Sequence, residues 1–186
     1  MIKMGEIVTD ITWGTTDSSV TVHSQSGSTY TADAVIVTVP LGCLRRNMIT
    51  FSPPMPSSIQ EGITAFSYGA LGKVFVEFSE VFWPKDNDQF IYYPSPLPAG
   101  TPIDESSTVT SNLWIMSGTK ELCIQIAEPL TQRIEAISPD DTATLFAFFE
   151  PLFKLMRTEP YKDLPDLLNI ETTHWTQDPL AGFGSY

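Results

Sequence analysis

Leu71-Gly72-Lys73-Val74-Phe75-Val76-Glu77-Phe78 decides the reading of the fold. From Lys73 onward its side chains sort with a period of two: Val74, Val76 and Phe78 fall on one face, and Lys73, Phe75 and Glu77 on the other. That alternation predicts a strand with a core-facing side, and the rest of the chain is read outward from it. Downstream, Pro94, Pro96, Pro98, Gly100 and Pro102 punctuate a long loop. A second β section is expected over Val109 to Met116 and Glu121 to Ala127, with the turn at Gly118. Leu130, Ile134 and Ile137 have the spacing of a short helix. Ser138 is the expected cap of a second helix, with Pro139 in its first turn and Asp140 and Asp141 near its positive end. Leu145, Phe148, Phe149, Leu152 and Leu155 would form the apolar face of that helix, and Pro151 should kink or split it.

Upstream, Ile7 to Ile11, Ser19 to Ser24 and Thr29 to Thr31 read as three short strands. Ala34 to Val39 carries Val35, Ile36, Val37 and Val39 with Thr38 as its one polar residue, the pattern of a strand covered on both faces, and it ends at Pro40. Pro53, Pro54 and Pro56 make a rigid connection to a helix bearing Ile59, Ile63 and Phe66, capped by Ser57 or Ser58 and stopped by Gly69. The order of elements predicts an α+β fold: a mixed β-sheet with helices on one side, preceded by a β-rich piece over residues 1–68.

The 186 residues include 22 acidic and 10 basic side chains, a formal charge of −12. A chain of this length with 42% apolar residues can bury a core, which excludes intrinsic disorder. Without a cluster of Lys and Arg it has no electrostatic footprint for phosphate backbones, so nucleic acid and anionic membranes are not expected partners. Its apolar runs fall short of the roughly 20 residues needed to cross a bilayer, and the first residues lack a secretory leader. A cytoplasmic location is expected, with a peroxisomal one as the alternative. Cys43 and Cys123 each stand alone in apolar sequence and read as small buried hydrophobes.

Spacing alone points to little chemistry. His23 and His174 lack partners at metal-ligand spacing, so no metal site is expected. Ser185, in Gly-Phe-Gly-Ser-Tyr, lacks the glycine that follows a nucleophilic serine in a strand-to-helix elbow. No G-x-G-x-x-G or G-x-x-x-x-G-K-[ST] phosphate cradle occurs. By spacing, Lys73 reads as a solvated strand-end cation, and Trp175 and Tyr186 as core or rim aromatics.

Three segments change that reading. The first is Ala32-Asp33-Ala34-Val35-Ile36-Val37-Thr38-Val39-Pro40-Leu41-Gly42-Cys43-Leu44, with Phe51 and Pro53-Pro54-Met55-Pro56 behind it. The second is Leu71 to Phe78 running into Phe82-Trp83-Pro84. The third is Thr173-His174-Trp175-Thr176-Gln177-Asp178-Pro179 leading to Gly182, Gly184, Ser185 and Tyr186. In this order and at these separations they resemble the flavin-containing amine oxidases, in particular the fungal polyamine oxidases, which are related to monoamine oxidases and lysine-specific histone demethylases.

The resemblance implies FAD as cofactor and a small-molecule amine, such as a polyamine, as substrate. It implies that residues 1–68 are part of an FAD-binding domain and residues 69–186 a substrate-binding domain cut short at its C-terminal end. Lys73 matches the family lysine that reaches flavin N5 through a bound water. Trp175 matches the tryptophan beside the flavin ring. Tyr186 matches one wall of the aromatic cage that receives the substrate amine. Val8 resembles the position whose backbone meets the adenine, and Val39 and Pro40 the strand end near the adenosine. The family's glycine fingerprint and its closing flavin-holding segment have no counterpart here, so the chain is expected to be an internal fragment, inactive and flavin-free by itself. Self-association through surfaces left open is expected too. A non-catalytic binding module that kept the substrate-domain fold without flavin is the alternative.

Overall fold

The computed structural model describes residues 2–14, 19–93 and 107–185. Two units meet in sequence at Tyr68 and Gly69: the first runs to Tyr68 and includes Asp178–Gly184, the second is Gly69–Gln177 with Ser185.

In the first unit, the three stretches read as short strands form an antiparallel meander of β1 (Val8–Thr12), β2 (Val20–Ser24) and β3 (Thr29–Ala32). Gly27, at φ +86, makes the β2–β3 turn where an L side chain would be strained. After α1 (Leu41–Arg45), β4 (Thr50–Ser52) lies parallel to β1, giving the order β3-β2-β1-β4, and α2 (Ser57–Ala65) follows. Two expectations fail here. Ala34 to Val39 forms no strand, and Ile36 is 88% exposed. So apolar a strand needs paired backbone groups and cover on both faces, and among the described residues no strand hydrogen-bonds to this stretch. α2 begins at Ser57 itself behind Pro56, has no side-chain cap, buries no residue, and ends at Ala65, short of Gly69.

In the second unit β5 (Gly72–Phe78) is the strand its sequence predicts: Val74, Val76 and Phe78 are fully buried, and Phe75 on the opposite face is 39% exposed. β6 (Gln89–Tyr92) has no counterpart in the sequence reading, and the Pro94 to Pro102 loop lies outside the described residues. β7 (Thr108–Asn112) stops where α3 (Leu113–Ser117) starts, so the expected strand over Val109 to Met116 is half helix. The cause is Asn112, whose side chain accepts from Trp114 N and caps the turn, while Gly118 at φ +74 closes it. β8 (Glu121–Ile126), α4 (Leu130–Glu135), α5 (Thr142–Met156) and β9 (Leu167–Thr172) complete the unit. The sheet order is β6-β7-β8-β5-β9, antiparallel at every pairing. The α+β class therefore holds, but the mixed sheet expected after residue 68 does not form: that sheet is antiparallel throughout, and the parallel pair, β1 with β4, lies in the first unit.

Leu130 and Ile134 of α4, with Leu145, Phe149, Leu152 and Phe153 of α5, pack into one core with the Val74 face of β5. Phe78 sits at its centre, with edge contacts to Phe82 at 4.8 Å and Phe153 at 5.3 Å between ring centroids. α5 departs from expectation in three ways. Its cap is Asp141, which accepts from Thr144 N at 3.1 Å, not Ser138. Leu155 is 67% exposed, because the buried stripe runs through Leu145, Phe149, Leu152, Phe153 and Met156. The helix also continues unsplit through Pro151. Among the described residues no helix is long and apolar enough to cross a membrane.

Candidate functional site

Lys73 owes its place to the pleat of β5. With Gly72 and Val74 turned inward, its side chain emerges on the face away from the helices, beside Phe75, half-buried. Across that face Lys73 is paired with Gln125 and Phe75 with Cys123. Burial pushes the Cys123 thiol up, and the Lys73 ammonium partly offsets it. Among the described residues the ammonium has no hydrogen bond or ion pair.

The ladder between β5 and β9 continues one residue past Thr172. Thr173 N–H donates to the Lys73 carbonyl at 2.9 Å, and Lys73 N–H donates to Thr173 Oγ1 at 2.9 Å. The turn that carries His174 and Trp175 thus starts on the peptide of Lys73. Trp175 is 36% exposed, a broad aromatic surface left open. The turn is gripped from the helix side by Glu135. Its carboxylate accepts from Thr173 Oγ1, Thr176 N and Thr176 Oγ1, each at 2.7 Å, and its carbonyl accepts from Gln177 Nε2. Sequence reasoning missed Glu135, because an acid at the end of a short amphipathic helix looks like any solvated helix residue.

The first unit holds the other candidates. Val8 opens β1, half-buried and paired with Ser24 ahead of a bulge. Val39 and Pro40 are half-buried and lead into α1, where the Pro40 carbonyl accepts from Cys43 N at 2.9 Å. Beside α1 lies the 178–184 segment, whose packing the sequence did not disclose. Gly182 sits at φ +71, and a Cβ there would come within 2.6 Å of Gly42 Cα and Cys43 N, so two glycines let the backbones touch. Arg46 donates to the Gly182 carbonyl at 2.9 Å and stacks 4.5 Å over Phe183. Tyr68 Oη donates to the Ala181 carbonyl at 2.6 Å. Burial pushes up both the Cys43 thiol and the Tyr68 phenol. Tyr186 lies outside the described residues, and no group of three or more His, Cys, Asp or Glu among the described residues could hold a metal.

The whole chain, residues 1–186, matches the family profile described as flavin containing amine oxidoreductase. Over 185 residues it is 34% identical to Polyamine oxidase 3 of Oryza sativa subsp. japonica, covering 100% of this chain and 34% of that protein. To Polyamine oxidase 4 of the same plant it is 32% identical over 171 residues, 91% of this chain and 31% of that protein. It is 27% identical over 192 residues to Histone demethylase-like protein A of Aspergillus fumigatus, covering 100% of this chain and 18% of that protein. The chain thus spans about a third of the length of these two plant relatives.

Proposed function

The chain belongs to the family of flavin containing amine oxidoreductases, and from that premise we propose that it is a segment of an FAD-dependent oxidase acting on the carbon–nitrogen bond of a polyamine or similar amine. The observation that carries this reading is Lys73: a half-buried ammonium without a partner among the described residues, on a peptide bonded to the turn that bears Trp175. A cation on the open face of the sheet, its backbone bonded to the turn that bears an open aromatic, fits a planar, electron-accepting ring.

FAD, when bound, supplies the two-electron acceptor for the amine and passes the electrons to molecular oxygen. The protein's own part is electrostatic and steric. Lys73 would hold positive charge and a hydrogen-bonded water where negative charge develops, and charge placed there lowers the barrier most. Trp175 would give the flavin ring a flat neighbour. Tyr186 is proposed as an aromatic wall for the cationic amine, an attraction of about 0.5 to 2 kcal/mol. Val8, Val39 and Pro40, apolar and half-buried, suit contact with the adenosine end. Residues 1–68 are then the FAD-binding part and 69–186 the substrate-binding part. A net charge of −12 agrees with polycationic substrates, whose encounter rate an acidic surface raises.

The test takes the full-length protein that contains these residues, loaded with FAD and kept free of oxygen. Bleaching of the flavin by spermine or N-acetylspermine is expected. Bleaching by an α-amino acid but not by either polyamine would overturn the substrate assignment, and a bound flavin that no amine bleaches would overturn amine oxidation.

A further inference from the structure

Glu135 is 1% exposed, and a buried carboxylate is costly unless its oxygens are fully used. Here they are used on one target. Oε1 takes the hydroxyl of Thr173, and Oε2 takes the amide and hydroxyl of Thr176, so the two residues that flank His174 and Trp175 hang from a single side chain. Thr173 in turn receives the Lys73 N–H on the same oxygen it uses to donate to Glu135. A continuous chain of hydrogen bonds therefore runs from the Lys73 peptide through Thr173 and Glu135 to the far side of Trp175.

The anchor point is rigid. One helical turn before Glu135, on the same face of α4, Thr131 is fully buried, donates to the Ile126 carbonyl at 2.7 Å and accepts from Gly72 N at 3.3 Å. A Cβ on Gly72 would approach Thr131 Cγ2 to 2.8 Å, so α4 seats on the start of β5 only because that residue is glycine. Both ends of the connection thus belong to the same packed layer. Among the described residues no aromatic ring packs on the indole, and the bonds to Thr173 and Thr176 hold the chain on either side of it.

We propose that Glu135 is a positioning residue whose carboxylate sets the orientation of Trp175 relative to Lys73. This deepens the reading above and rests on it for its catalytic meaning, since the anchored pair is the one assigned to the flavin. An apolar residue would fill the same volume at less cost, and the carboxylate is matched instead to three donors of one turn.

The test uses the 186-residue chain labelled with 5-fluorotryptophan, with the Trp175 fluorine resonance assigned by Trp175→Phe. Glu135→Gln keeps the volume but replaces one acceptor oxygen by a donor, so the three donors cannot all be met. The Trp175 resonance should shift or broaden while those of Trp13, Trp83 and Trp114 stay, and the Thr176 amide should exchange at least ten-fold faster with β8 amides unchanged. Thr176→Val, which leaves Glu135 in place and removes one of its donors, should move the Trp175 resonance the same way by less. An unmoved Trp175 resonance in a folded Glu135→Gln chain overturns the proposal, as does a common shift of all four resonances. If Glu135→Gln does not fold, an unmoved Trp175 resonance in Thr176→Val overturns it. Failure of the underlying reading shows elsewhere: in the full-length flavoprotein, Trp175→Phe would leave the flavin spectrum and its reduction rate unchanged.

Discussion

The carboxamide of Asn112 is wholly buried, and its hydrogen-bonding capacity is spent on separate stretches of chain. Oδ1 accepts from Trp83 Nε1 at 2.9 Å and from Trp114 N at 3.1 Å, while Nδ2 donates to the Asn87 carbonyl at 2.7 Å. It is at once the cap of α3 and the only described hydrogen-bond partner of the buried Trp83 indole. Asn112→Ala strands that indole N–H and removes the cap, each of which costs about 1 kcal/mol or more. A loss of about 2 to 4 kcal/mol is expected in urea unfolding, and a loss below about 1 kcal/mol would show that the groups re-pair. The two cysteines give a second outcome at this scale. Burial raises both thiol pKa values, so each thiol binds its proton more tightly folded than unfolded. The stability this contributes is present below the ordinary thiol pKa and is lost as pH rises through the raised folded values. Alkylation by iodoacetamide at pH 8 should accordingly be at least ten-fold slower in the native chain than in urea, and equal rates would mean that the sites open freely.

At the scale of elements, α5 contains its own contradiction: fifteen helical residues with Pro151 inside. Proline supplies no N–H to the Ala147 carbonyl, yet Phe149, Leu152, Phe153 and Met156 bury around it, and that packing holds the helix together. Pro151→Ala restores the bond, worth up to about 3 kcal/mol in a helix interior, and gives back about 0.4 to 1 kcal/mol of unfolded-state entropy. A net gain of about 1 to 2 kcal/mol is expected in thermal unfolding; a destabilised variant would show that the pyrrolidine ring is itself a packing element. The same element marks where sequence stops being informative. Its apolar face was legible at Leu145, Phe149 and Leu152 because a period of 3.6 is a local property. The cap was not, since Ser138 and Asp141 are both good capping residues and only the tertiary position of the helix selects one. β5 was legible in full for the reason α5 was in part, whereas Ala34 to Val39 was misread because burial of a strand belongs to its neighbours rather than to its residues. Lys73 and Trp175 were singled out by the family resemblance, and the bonds that join their stretches of backbone left no sign in the sequence, since they depend on register. Glu135 and the contact of Gly42 with Gly182 left no periodic trace at all.

At the scale of the whole molecule the two units are unequal in what they bury. The second has fifteen buried residues in one apolar cluster, from Val74 and Phe78 to Phe153 and Ile170. In the first, Ile11, Cys43 and Ile49 are the buried apolar residues among those described, and Trp13, with its 5.8 Å edge contact to Phe51, is only half-buried. Each fully buried large apolar side chain contributes about 1.5 to 3 kcal/mol against the entropy of ordering the chain, a cost that falls on both units per residue alike. The first unit should therefore open well below the free energy that opens the second. Native-state hydrogen exchange in low urea measures this without altering a residue, because each amide reports the cheapest opening that exposes it. The amides of Ile11 and Val22 should exchange through an opening at least about 2 kcal/mol cheaper than that for Val74 and Ile124, with a smaller urea dependence, as suits a unit that exposes less surface. A single opening free energy and a single urea slope for all four amides would show instead that the 186 residues unfold as one cooperative body and that the small core of the first unit is stabilised from outside itself.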